Sequence, residues 1–236
     1  MPFGASRAGL MSTRVDAIPD SAISHYDATD SGSVTTSNGS ITSVEDLIGN
    51  RDLSPTDDPQ LVSSGISGNA SFETDGDNDE GLINTDTYVN DEDFAVVMVY
   101  EIQESVNSNQ FLFGTGGGGG RDGIQDDDGG EFQHFRGDIN NENSGYSPDG
   151  NAHILVWVCE SDGTTDLRID GTAQGAISAD GTDMLGLSLG RRAPNDETIT
   201  IPINSQYGEV IILEDYSDSD ITDVEQQLSD KWDISI

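Results

Sequence analysis

Apolar residues in this chain gather in short runs separated by polar, glycine-bearing stretches, a pattern that predicts strands joined by turns. Two runs stand out. Phe94 to Ile102 (FAVVMVYEI) is nearly continuous in apolar residues, which predicts a strand buried on both faces. His153 to Cys159 (HILVWVC) is the second, with faces reading His153, Leu155, Trp157, Cys159 and Ile154, Val156, Val158. Shorter strands are expected at Ile23–Tyr26, Ala70–Phe72, Phe111–Phe113, Thr165–Ile169, Leu185–Leu189, Thr198–Ile203 and Glu209–Leu213, with Asp170-Gly171 as a hairpin turn. Ser43 to Ile48 (SVEDLI) reads as one helical turn capped by Ser43.

A sustained helical period occurs only near the C-terminus. Ile221, Val224, Leu228 and Trp232 share one face, Ser217 or Ser219 can cap, and Asp218, Asp220 and Asp223 suit the positive end of the dipole. A helix over 218–232 follows, with Trp232 packing it against a sheet edge. The expected fold is all-β: a two-sheet antiparallel jelly-roll sandwich over residues 21–236, preceded by an extended arm over residues 1–20. The 28 glycines agree with many turns, and Cys159, the single cysteine, reads as a core residue.

Charge changes the picture. The chain has 45 Asp and Glu against 9 Lys and Arg, a formal net charge of −36, and one lysine, Lys231. Such self-repulsion destabilises a compact state in dilute buffer, but at 1 M salt the Debye length is only ~3 Å. Acids spread from Asp16 to Asp233, with lysine nearly absent, read as a surface built for molar salt, and the expected source is haloarchaeal or a virus of such a host. The charge argues against nucleic acid and anionic membranes as partners. No stretch approaches the ~18 apolar residues of a membrane span. Residues 1–13 lack a signal-peptide core, so synthesis in the cytoplasm without an export signal is expected.

Four stretches resemble the concanavalin A-like lectin/glucanase superfamily in its laminin-G-like branch. Ser24 to Asp30 (SHYDATD), with Asp46-Leu-Ile-Gly-Asn50 and Pro59-Gln-Leu61, resembles the opening W-x-D-A-S … P-x-L pattern. Phe72 to Gly81 (FETDGDNDEG) resembles the F-D-G-x-D-D strand and turn, and Ala152 to Gly171 resembles the W-H-x-V … L-x-V-D-G hairpin. Gly208 to Ile212, continuing to Lys231-Trp-Asp-Ile234, is similar to the closing A-E-V-I-V-Y … K-W-G-I. His25 stands where tryptophan is common, and Asp233 replaces the helix-end glycine. The resemblance covers about residues 22–236. The arm, with its FG-x-S-R-A-G stretch, loosely resembles the N-termini of tailed-virus structural proteins.

Candidate chemistry is sparse. The E-x-D-x-x-E strand of the superfamily's glucanases is missing, as is a G-x-S-x-G elbow near His25, His134 or His153, so the chain is expected not to be an enzyme. Asp75, Asp77 and Asp79 have the spacing of a calcium turn with hard oxygen ligands, although Glu80 and Asp86 break the EF-hand pattern. The alternative for these residues is a solvated acidic turn. Asp126–Asp128 is a weaker cluster of the same kind, and Gly116–Gly120 is not a phosphate loop. Tyr146, Tyr207 and Phe135 are the candidates for stacking on sugars. In the arm, Arg7 and Arg14 balance Asp16 and Asp20, which makes Phe3, Arg7, Leu10 and Arg14 the expected assembly contacts.

Two functions are consistent with these features. The first is a virion structural protein of a halophilic archaeal virus (capsid decoration, turret or tail spike). It would be a homo-oligomer attached to other virion proteins through its arm, with a lectin-like domain contacting host-surface glycans. The alternative is a cellular haloarchaeal carbohydrate-binding or glycan-processing domain.

Overall fold

The computed structural model describes residues 18–76, 80–103, 110–116, 121–126, 130–136, 139–178, 183–191 and 203–236. The first half of the chain forms β1 (Ala22–Asp27), β2 (Val34–Ser37), β3 (Ser40–Val44), β4 (Ser54–Thr56), β5 (Gln60–Val62), β6 (Ser71–Asp75), β7 (Gly81–Asn84) and β8 (Phe94–Ile102). The second half forms β9 (Gln110–Gly116), β10 (Arg121–Asp126), β11 (Phe132–Arg136), β12 (Ile139–Asn143), β13 (Ala152–Cys159), β14 (Thr164–Ile169), β15 (Thr172–Ser178), β16 (Leu187–Leu189), β17 (Asn204–Glu214) and the helix α1 (Asp218–Trp232). Ten strands build one sheet in the order β15-β14-β13-β8-β17-β6-β5-β3-β2, with β1 also paired to β17. Seven build the other, in the order β12-β11-β10-β9-β16-β7-β4. The expected two-sheet antiparallel sandwich with a C-terminal helix is what forms.

The two faces of β8 explain its apolar run. Phe94, Val96, Met98, Tyr100 and Ile102 enter the core between the sheets, where Trp157 meets Phe94 and Phe113 edge-on at 5.9 and 5.4 Å. Ala95, Val97 and Val99 face the other way, under Ile221, Val224, Leu228 and Trp232 of α1. The helix therefore lies on the outer face of the ten-stranded sheet, against β8 and β13, and not at an edge as the sequence suggested. Each large side chain so buried contributes about 1.5–3 kcal/mol, and that apolar face holds the helix down.

Local chemistry sets the helix ends. The Ser217 hydroxyl accepts from the Asp220 N–H, and the Asp220 carboxylate accepts from the Ser217 N–H at 2.9 Å. Asp233 ends the helix in the left-handed region (φ 55°), doing the work of the glycine it replaces. At Gly208 a Cβ would stand 2.5 Å from the Trp232 ring, so only glycine lets that ring lie on β17. The Asp170-Gly171 turn forms as expected, both residues having positive φ.

The helical turn expected at Ser43–Ile48 does not form. Ser43 and Val44 belong to β3, and the Asp46 Oδ1 accepts from the backbone N–H groups of His25, Ile48 and Gly49 at 3.0, 3.1 and 3.0 Å. That carboxylate ties the segment to β1, a long-range bond that local propensity does not reveal. Of the strand expected at Thr198–Ile203, all but Ile203 lies outside the described residues, as does most of the N-terminal arm.

Candidate functional site

On the outer face of the ten-stranded sheet, beside α1, strand pairing lines up one row of polar residues. Ser40 pairs with Gln60, Gln60 with Glu73, Glu73 with Gln206, and Gln206 with Glu101. Their neighbours Phe72 and Tyr207 point into the core, so period-2 alternation turns Glu73 and Gln206 outward. At ~4.8 Å per strand, the four steps of this row cover ~19 Å.

Buried groups fix the row from beneath. Gln206 is only 4% exposed; its Oε1 accepts from the Ser71 hydroxyl at 3.0 Å, and its Nε2 donates to Glu73 Oε2 at 2.7 Å. Gly65 closes over this pair, since a Cβ there would lie 2.0 Å from Ser71 Oγ and 2.5 Å from Gln206 Oε1. Gln60 donates through Nε2 to Ser40 Oγ at 3.3 Å and to the Asp58 carbonyl at 2.6 Å. The side chains are thus held in place before any ligand arrives.

Two turns wall in one end of the row. The β4–β5 turn brings Asp57, with a positive φ of 58°, and Asp58. The β6–β7 turn brings Asp75 and Glu80, and the Asp75 N–H donates to Glu80 Oε2 at 2.5 Å. The result is a groove of about 330 Å³ lined by Asp57, Asp58, Gln60, Glu73, Asp75 and Glu80. Burial pushes the Glu80 carboxyl up to about 8, helped by the charges of Asp75 and Asp57. Chemically the groove offers carboxylate oxygens and one amide, groups that bind hydroxyls or hard cations.

Of the sequence-predicted ligands, Asp75 lines this groove; Asp77 and Asp79 lie outside the described residues, as do Phe3, Arg7, Leu10, Arg14, Asp127 and Asp128. Among the stacking candidates, Tyr207 is fully buried in the core and Tyr146 packs on Phe132 and His153. Sequence reading missed Asp57, Asp58, Gln60, Glu73 and Glu80. Glu73 could have been placed on the outer face from the alternation around Phe72, but its meeting with Gln60 and Gln206 depends on pairing between distant strands.

A second constellation looks like a metal site. One ligand atom each from His25, Asp27 and Glu209 lie within 4.8 Å of one another. A cation is already present, however: Lys231 Nζ donates to Asp27 Oδ2 at 2.8 Å and to Glu209 Oε2 at 2.5 Å, while the Trp232 indole N–H donates to Glu209 Oε2 at 3.1 Å. Burial works against the ammonium, but Glu209 and Asp27 outweigh it and raise the Lys231 pKa above its ordinary value. His25 Nε2 lies 2.7 Å from Glu209 Oε1 and completes the cluster. The chain's one lysine therefore anchors α1 to β1 and β17, and this cluster is structural.

No family model and no curated protein matches the chain. Solved structures do. A sialidase from Trypanosoma rangeli in complex with sialic acid has a TM-score of 0.68 at 14% identity, covering 91% of this chain and 34% of that one. Domain 4 of AbnA, a GH43 extracellular arabinanase from Geobacillus stearothermophilus, in complex with arabinotriose, has a TM-score of 0.62 at 14% identity, covering 87% and 98%. A botulinum neurotoxin type C structure, whose cell uptake is described as dependent on two ganglioside molecules, has a TM-score of 0.61 at 15% identity, covering 89% and 52%. The likeness is one of fold. The chain spans about a third of the length of the sialidase chain.

At the level of fold these matches agree with the expected two-sheet β-sandwich. They correct the expectation that the chain is not an enzyme. That expectation rested on a missing glucanase motif, and the fold recurs in the structures of a sialidase and an arabinanase, so the motif of one branch is no ground for the exclusion. They lend no support to a place in a virus particle.

Proposed function

We propose that this chain is the carbohydrate-binding domain of a glycan-processing protein, and that its groove takes an uncharged oligosaccharide. The observation that carries this is the polar row: Gln60, held by Ser40, and Glu73, held by the buried Gln206–Ser71 pair, line a groove large enough for a sugar unit. Carboxylates and amides arranged in this way accept from and donate to sugar hydroxyls. The charge selects among sugars. A net charge of −36 and a groove lined by five carboxylic side chains repel an anionic glycan, so a neutral one such as arabinotriose fits and sialic acid does not. Calcium belongs to the same reading. Asp57, Glu73, Asp75 and Glu80 supply hard oxygen donors of the type Ca²⁺ takes, and a bound ion there would join sugar hydroxyls to the carboxylates.

The test is a panel of neutral and acidic oligosaccharides offered to the intact chain in molar salt, with and without a chelator, followed by a reducing-end assay. Saturable binding of neutral sugars supports the proposal, and release of new reducing ends would add cleavage to binding. Binding confined to acidic sugars would overturn it.

A further inference from the structure

Beyond the last member of the polar row, where β13 pairs with the C-terminal end of β8, His153 sits on the rim of the sandwich with its side chain 12% exposed. Both ring nitrogens face carboxylates: Nδ1 lies 2.6 Å from Asp170 Oδ2, and Nε2 lies 2.8 Å from Asp149 Oδ1. A neutral imidazole has one N–H and can donate to only one of them. Two carboxylates at these distances therefore require the doubly protonated ring.

The two aspartates are not equivalent. Asp170 belongs to the β14–β15 turn, is 25% exposed, and accepts the Ile154 N–H on its other oxygen at 2.8 Å. Asp149 is 54% exposed and belongs to the strap Pro148–Gly150, where Gly150 has φ 78°. Its remaining described hydrogen bond is local, from the Asn151 N–H at 2.9 Å. The strap, with Ile102 and Gln103, lines a pocket of about 270 Å³. Among the described hydrogen bonds, the Asp149–His153 contact ties this strap to the sheet.

We propose that Asp149, His153 and Asp170 form a proton-operated latch: the imidazolium holds the strap against its pocket, and loss of the Nε2 proton lets Asp149 swing into water and the pocket open. The proton leaves Nε2 because its partner is the more exposed and the more weakly fixed. Other groups face the ring. Tyr100 from β8 and Tyr146 from the loop before β13 pack on it at 5.9 and 5.6 Å. Glu101 from β8, whose carboxyl burial raises and His153 lowers, adds a further negative charge. Burial works against the charged ring, but Asp170 and Asp149 outweigh it and hold the His153 pKa above its ordinary 6.5. The sign follows. Below that raised pKa the latch is closed, and as pH climbs through it the latch opens. Glu101, the last member of the polar row, directly precedes Ile102 and Gln103 of the pocket wall, so opening would reshape the end of the row.

The experiment is NMR on the labelled full chain in molar salt, following the His153 ring and the amide exchange of Gly150 and Asn151 against pH. The latch requires a ring midpoint above 6.5. It also requires a step in strap exchange at that midpoint, on top of the base-catalysed rise that every amide shows. Asp149→Asn, an exposed change that keeps the side-chain acceptor for Asn151, should lower the midpoint and abolish the step, leaving the strap fast throughout. A wild-type strap with no step at the His153 midpoint, or a step that persists in His153→Gln, would overturn the latch.

Discussion

The helix anchor and the groove are both built from clustered acids, yet they differ in one respect. The anchor carries its own counter-ion: Lys231 lies between Asp27 and Glu209, and Glu209 is 1% exposed. The groove gathers Asp57, Asp58, Glu73, Asp75 and Glu80, with no basic side chain among the described residues that line it. In so acidic a chain, carboxylates alone say little about function. A cluster closed on its own lysine is finished as a structure, whereas one that lines an open groove, with Glu73 held by a buried amide, is a cluster that can still receive something.

The largest effect is expected at the anchor. Lys231→Met leaves Glu209 buried beside Asp27 without a cation and should cost about 3 kcal/mol, at the lower end of what breaking a buried ion pair costs because the lysine is partly exposed. Urea midpoints at constant m-value would show it. Adding Glu209→Gln should return part of the loss, and an additive double mutant would break the contrast with the groove.

Next comes Gly65→Ala. Its Cβ collides with Ser71 Oγ and Gln206 Oε1, so a loss of about 1–3 kcal/mol is expected, together with weaker sugar binding as Glu73 loses its orientation. A stable variant with unaltered binding would show that the buried pair does not position Glu73.

The two regions should also differ in pH response. Glu80 holds its proton more tightly folded (about 8) than at its ordinary 4.5, so the folded state binds the extra proton and stability falls as pH rises through that window. At the anchor, the pair Asp27 and Lys231 titrates outside that window. Asp27, although buried, is pulled below 3.8 by Lys231, and Lys231 is raised above 10.5. Glu80→Gln should flatten the fall in thermal midpoint, while a variant at the anchor should leave its slope unchanged.

The smallest effect on stability separates function from folding most cleanly. Glu73→Gln should shift stability by no more than about 0.5 kcal/mol, as a half-exposed residue off the core. The same change should lower affinity for a neutral oligosaccharide about tenfold or more, the size of a lost hydrogen bond to a charged group.

Much of the fold was legible because it rests on local periodicity. The doubly buried β8, the β13 faces, the Asp170-Gly171 turn and the helix from Asp218 to Trp232 all follow from spacing of two or 3.6 residues. The failures share one cause. Ser43–Ile48 is held by a bond from Asp46 to His25 in another strand, and α1 lies across a face because β8 presents Ala95, Val97 and Val99 there. The groove was invisible for the same reason: Gln60, Glu73 and Gln206 meet through pairing, and Asp75 was legible only because acids crowd its own turn.

The most direct measurement is an NMR titration of the chain with arabinotriose in molar salt, read from side-chain N–H signals in the two regions. The expected result is saturable shifts of the Gln60 and Gln206 amides while the Trp232 indole N–H, bonded to Glu209 in the anchor, stays in place. Shifts at Trp232 with Gln60 and Gln206 unmoved, or no saturable shift with any neutral oligosaccharide, would contradict the assignment of the groove as the sugar site.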